Sequence, residues 1–170
     1  MKPKNKNSLE AELEKYLLEH IPISSAMGVR VFSASPKKIV LSAPFSNNIN
    51  HKKTVFGGSL HAVATLACWS LLHVNLTELH NVHIVIASSE IAYLAPVASD
   101  FKAECCLPEL EDWQRFLKIL QKKGKARVKL SAKIFQGHQL CVEYSGVFAA
   151  LEHGKGFKVI SSGEEEIGAS

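Results

Sequence analysis

Between Lys53 and Glu78 the chain carries no Asp, Glu, Lys or Arg. The run opens on a polar, basic loop, passes through Phe56 and Gly57-Gly58, and continues as GGSLHAVATLACWSLLHVNL. Its apolar residues lie almost all the way round a helix, and such a helix must be covered on most sides. The rest of the fold therefore has to wrap it. The run is long enough to raise the question of a membrane span, but His61, Thr65, Ser70, His73 and Asn75 interrupt it. Hydrocarbon suits it poorly, and the expectation is one buried helix of a soluble domain, with no membrane contact.

A chain of 170 residues, 46% hydrophobic and 21% charged, can build one domain around a sizeable core. A net charge of +4 is compatible with an anionic ligand. No basic stripe interleaved with aromatics points to nucleic acid. MKPKNKNSLEAELEKY has a basic start with no apolar segment behind it, so no export signal is expected and the cytoplasm is the expected compartment. Cys68, Cys105, Cys106 and Cys141 form no CxxC, and reduced thiols fit that compartment.

Residues 1–7 read as a mobile leader, 8–152 as a single domain and 153–170 as a loosely ordered tail. SLEAELEKYLLEHI has Leu9, Leu13, Tyr16, Leu17 and Ile21 at helical spacing, Asn7 or Ser8 as cap and Pro22 as stop. MGVRVFSAS and PKKIVLSAPF read as two strands. The uncharged helix follows, from Gly58 to about Glu78. Then come NVHIVIASSEIAYLAPV and FKAECCL as strands, an amphipathic helix within 109–123, and a hairpin of KARVKLSAKIF with QLCVEYSGVFAAL. The predicted class is α+β, an antiparallel sheet curled around a long central helix, with one helix before it and one inserted.

The glycines have a chemical reading. The first turn of a helix leaves N–H groups unpaired at the positive end of the dipole. Without side chains at Gly57 and Gly58, a ligand oxygen can come close to those amides, and a carbonyl turning into an oxyanion would be stabilised there. A tight junction needing only room is the competing explanation. The segment is not a phosphate loop, because Lys52-Lys53 precede the glycines and no GxxxxGK[ST] is present.

Taken with the order of elements, N-x-N at 48–50 and T-V-F-G-G-S-L at 54–60 resemble the hotdog-fold thioesterases. M-G-V at 27–29, L-S-A-P at 41–44, L-A-C-W at 66–69 and Y-L-A-P-V at 93–97 narrow the resemblance. They point to the thioesterase domain at the C-terminus of YiiD-type acetyltransferases, which also occurs as a free-standing protein. The resemblance implies an acyl-thioester hydrolase acting on acyl-CoA or acyl-carrier-protein, without metal or redox cofactor. It also implies a homodimer, or a tetramer built from two, with sites between subunits. It places Asn50 at the attacking water or the thioester, and Gly58 with Gly57 at the carbonyl. Thr65 stands where many relatives carry an acid. Phe56 stands for their His, and Ala95 for an Arg before Pro96. Thr65 can position a water but is no base at neutral pH.

Other groups compete for that role. Glu90 lies in a neutral strand and shares the face of Ile84, Ile86 and Leu94 in an unbroken alternation. It is either on the wet face or placed for chemistry. His61, one turn into the helix, is a pocket residue or a packed one, and Ser59 sits beside the same helix start. Together with Phe56 and Gly57, these three complete the expected substrate-binding set. His80-x-x-His83 lacks a matching third ligand, and no metal is expected. The substitution of Thr65 for an acid also leaves room for a non-catalytic module that binds acyl-CoA or an acyl carrier. A hotdog dehydratase would need a His and acid pair where Phe56 and Thr65 stand. Pocket depth is expected to depend on Leu66, Trp69 and Leu72.

Overall fold

The computed structural model describes residues 8–79 and 81–152, so the expectations for 1–7, for 153–170 and for His80 lie outside the described residues. The elements are α1 (Leu9–His20), α2 (Pro22–Ala26), β1 (Arg30–Ser35), β2 (Lys38–Ala43), α3 (Gly57–Leu76), β3 (Val82–Tyr93), β4 (Phe101–Cys106), α4 (Leu110–Lys123), β5 (Lys125–Gln136) and β6 (Gln139–Glu152). Six strands form one sheet in the order β1-β2-β4-β5-β6-β3, every neighbouring pair antiparallel. α3 packs against β2, β3, β4, β5 and β6. This is the hotdog arrangement predicted above.

The reasons are local. β5 alternates without a break: Ala126, Val128, Leu130, Ala132 and Ile134 are buried, while Arg127, Lys129 and Lys133 are exposed. Cys105 and Cys106 fall on opposite faces of β4, the first buried and the second exposed, and both are free thiols. α4 carries Glu111 and Asp112 in its first turn and Lys122 and Lys123 in its last. It ends at Gly124, whose φ of 67° is the left-handed cap that favours glycine. Trp113, Phe116 and Leu120 carry it into the core. By length and composition α3 would pass as a membrane span, yet here it is the core helix.

Two details differ from expectation. Pro22 ends α1 but also opens α2, where a missing N–H costs nothing at the first helical position. The first strand begins at Arg30, not Met27, because Gly28 turns the chain with φ 69°.

The two edges of the sheet are treated differently. Along β1, α1 supplies carboxylates: Glu14 accepts from the Val31 amide at 2.9 Å and from Arg30 at 2.7 Å, and Glu10 accepts from the Ala34 amide at 3.2 Å. An edge occupied in this way cannot easily pair with another strand. Among the described residues β3 has no such cover along most of its 12 residues, and Val85, Ile86 and Tyr93 are exposed on it, with Leu94 just beyond.

Candidate functional site

The loop before α3 is held by its asparagines. Asn48 is buried, donates to the Met27 and Pro44 carbonyls at 2.9 and 2.8 Å, and accepts the Phe56 amide on its own carbonyl at 2.7 Å. Asn50 turns the loop. Its side-chain oxygen accepts from the amides of Lys52 and Thr54 at 2.9 and 3.2 Å, and its nitrogen donates to the Thr54 hydroxyl at 3.0 Å. The Asn50 amide is thus engaged within its own loop, with no hydrogen bond to the glycines among the described residues.

The loop delivers Phe56 as the N-cap of α3, with no side-chain cap bond. The Phe56 carbonyl accepts the amides of Ser59 and Leu60 at 2.9 and 3.2 Å. The Gly57 and Gly58 amides have no acceptor among the described residues. The glycines also make room for rings: a Cβ on Gly58 would collide with Phe56, reaching Cζ at 2.9 Å, and one on Gly57 would lie 3.3 Å from the Tyr93 hydroxyl. Tyr93 donates to the Gly57 carbonyl at 3.0 Å, tying the end of β3 to the start of α3. Val55, Gly57, Gly58, Tyr93, Leu94 and Pro96 line a cleft of ≈ 430 Å³ there. Phe56, with 59% of its surface exposed, lies over the helix start.

One and two turns along α3 is a polar cluster. His61 Nε2 and the Ser89 hydroxyl are 3.0 Å apart. The Thr65 hydroxyl lies 2.9 Å from the His61 carbonyl and 3.0 Å from the Tyr144 hydroxyl. Thr65 has one proton to give; given to the carbonyl, it leaves the oxygen free to accept from Tyr144. The Tyr144 ring meets the His61 ring edge-on at 5.4 Å. Burial pushes the Tyr144 phenol above its ordinary range, with its hydrogen-bond contacts to Thr65 and Ser89 pulling the other way. It is therefore protonated at neutral pH, a donor and not a base.

Glu90 is not in this cluster, which corrects its expected position. β3 has a bulge between Ile86 and Ser88, which oppose the adjacent residues Phe148 and Val147 of β6. The extra residue reverses the alternation, so Ser89 and Ile91 turn toward α3 opposite Gly146 and Tyr144, and Glu90 pairs with Ser145 on the outer face. Glu90 is exposed there. Ser59 makes no side-chain hydrogen bond among the described residues. Ser89, Tyr93 and Tyr144 were missed from the sequence. Tyr144 was within reach, since it shares the inward parity of Val142, Phe148 and Ala150. A Cβ at Gly146 would sit 2.7 Å from its hydroxyl, so the glycine leaves that hydroxyl its space. Among the described residues no three of His, Cys, Asp and Glu gather as a metal site.

Residues 10–152 match the family model described as "Putative thioesterase (yiiD_Cterm)". The chain belongs to that family. Among solved structures, the fold is similar to that of a protein of unknown function from Chlorobaculum tepidum, at 31% identity and a TM-score of 0.79, covering 85% of this chain and 94% of the other. It is similar also to a "putative thioesterase" from Shewanella oneidensis, at 30% identity and a TM-score of 0.75, covering 84% and 97%. A thioesterase from Haemophilus influenzae shares the fold at 14% identity, with a TM-score of 0.67 and coverage of 86% and 93%.

Proposed function

We propose that the protein hydrolyses an acyl thioester of coenzyme A or of an acyl carrier protein, with the carbonyl oxygen received by the Gly57 and Gly58 amides. The observation that carries this reading is that pair of unpartnered amides, open to a cleft at the start of the core helix. Water adds to the carbonyl carbon, the oxyanion rests on the amides, and the carbon–sulfur bond breaks to give a carboxylic acid and a thiol. His61, whose Nε2 lies 3.0 Å from the Ser89 hydroxyl, takes the water's proton. Thr65, fixed by Tyr144, positions that water. Asn50 serves by shaping the loop that carries Phe56 and the glycines.

The geometry favours two subunits per site. Gly58 and Thr65 are seven residues apart on one helix, about 10 Å of rise, too far to act together on one carbonyl. Pairing two copies along their uncovered β3 edges would bring Thr65 of the partner subunit toward Gly58. The carboxylate-capped β1 edge offers no equivalent surface.

Thiol release from a panel of acyl-CoAs and carrier-bound acyl groups tests the proposal, and His61→Gln should lower turnover at least a hundredfold. Silence across the panel would refute it. Thermal stabilisation by acyl-CoA without thiol release would instead identify a binding module.

A further inference from the structure

Among the partly open positions of α3, Gly58, Ala62, Thr65, Trp69 and His73 form one stripe at three- and four-residue steps, and the helix is otherwise largely buried. The stripe looks toward β3. Ile86, cross-strand from the buried Phe148, remains 42% exposed, so the space between β3 and the stripe is open there. One turn beyond Thr65 the space closes. The Trp69 indole N–H donates to the Ile84 carbonyl of β3 at 3.3 Å, so the ring spans from helix to strand. It is held flat against His73, with centroids 4.8 Å apart and planes at 15°, and against Tyr16 of α1 at 5.8 Å and 18°. Tyr16 is backed in turn by His20, stacked at 4.1 Å. Behind the indole lies a second cleft of ≈ 390 Å³, lined by Tyr16, His73, Leu76, Val82 and Ile84. Leu66 and Leu72 are packed in the core and do not reach this space.

We infer that Trp69 is the floor of the acyl slot and sets the length of acyl tail the site accepts. The inference rests on the thioesterase reading above. A thioester held at the helix start sends its tail along the stripe, past Ala62 and Thr65, under Ile86. Trp69 stands about 6 Å beyond Thr65, and the neighbouring His73 and Tyr16 rings, themselves 4.4 Å apart, together with the hydrogen bond to Ile84 keep it from swinging aside. Trp69 is eleven residues, about 16 Å of rise, beyond Gly58, so the slot admits a tail of medium length and stops a longer one, and removing the indole joins it to the cleft behind.

The test compares kcat/KM for dodecanoyl-CoA and hexadecanoyl-CoA in the wild type, Trp69→Phe and Trp69→Ala. Each methylene admitted to an apolar site is worth a factor of about four. The hexadecanoyl-to-dodecanoyl ratio should thus rise at least tenfold in Trp69→Ala, and less in Trp69→Phe. Trp113→Phe, in α4, should leave the ratio unchanged. In the Trp113→Phe protein the emission of Trp69 reports contact without relying on turnover. It should change on adding dodecanoyl-CoA but not acetyl- or butyryl-CoA. Unaltered ratios, or emission indifferent to chain length while thiol is released, would overturn the inference. Chain-length-dependent emission with no thiol release would uphold it and overturn the hydrolase reading. No response to any acyl-CoA in either measurement would overturn both.

Discussion

Gly58→Ala separates the two explanations of the glycine pair. The helix itself should welcome the change, since alanine gains about 1 kcal/mol over glycine in a helix interior, and Gly58 has no positive φ to forbid it. Against this, the new methyl enters the Phe56 ring, with Cζ 2.9 Å away. That ring ends an exposed side chain, 59% of its surface already in water, so it can swing aside. Fully burying a Phe is worth about 1.5–3 kcal/mol, so losing the remaining contact costs about 1 kcal/mol. The two terms nearly cancel. With net stability moving by less than about 1 kcal/mol, Tm should shift by no more than about 4 °C. Turnover should behave otherwise. The methyl and the displaced ring both crowd the approach to the Gly57 and Gly58 amides, and losing an oxyanion donor costs about a hundredfold or more in kcat. Calorimetry and thiol release on the same preparation make the comparison. A variant of unchanged Tm that keeps full turnover would show that Gly58 only makes room for Phe56, and the amides would lose their assigned part.

Tyr144→Phe keeps the ring and removes the donor to Thr65; turnover should fall at least tenfold, with a stability loss of about 1 kcal/mol by urea titration. Gly28→Ala should destabilise by at least about 2 kcal/mol in the same titration, because φ is 69° and the Cβ would press on Pro44 at 2.8 Å. His73 has its basicity lowered, chiefly by burial and secondarily by His20. Its folded pKa lies below the unfolded value near 6.5, so the unfolded chain binds the extra proton first as pH falls. Stability should be intact above that pH, decline below it until the folded His73 also protonates, and depend less on pH in His73→Gln, as thermal melts between pH 7.5 and 5 would show.

How far the fold could be read in advance depended on how far each residue's surroundings were local. α3 was legible because the absence of charge between Lys53 and Glu78 is a property of the segment itself, and only a wrapped helix tolerates it. β5 was legible because its alternation never slips. α2 was not, since Pro22 serves as a helix end and a helix start by the same chemistry. The role expected of Asn50 rests on its place six positions before Phe56, where the hotdog thioesterases it resembles carry an Asn, whereas its geometry is decided by the turn it closes on Lys52 and Thr54.

β3 shows why the site was harder to read than the fold. An unbroken period of two carries Glu90 to the face of Ile84 and Ile86, and would have presented Ser88 and a carboxylate toward the helix. The bulge between Ile86 and Ser88 inserts one residue, and every side chain beyond it changes face. Ser89 then meets His61 at 3.0 Å, while Glu90 stands beside Ser145 on the outside. Nothing in IVIASSEIAY announces the slip, because both registers leave a plausible edge strand. The slip is nonetheless what determines the chemistry of the cluster. With it, the strand offers a neutral hydroxyl that can orient the His61 imidazole. Without it, the strand would have offered an acid, the group whose absence at Thr65 made the base hard to find. In the proposed mechanism the proton passes to His61 because one residue of backbone turned the carboxylate away.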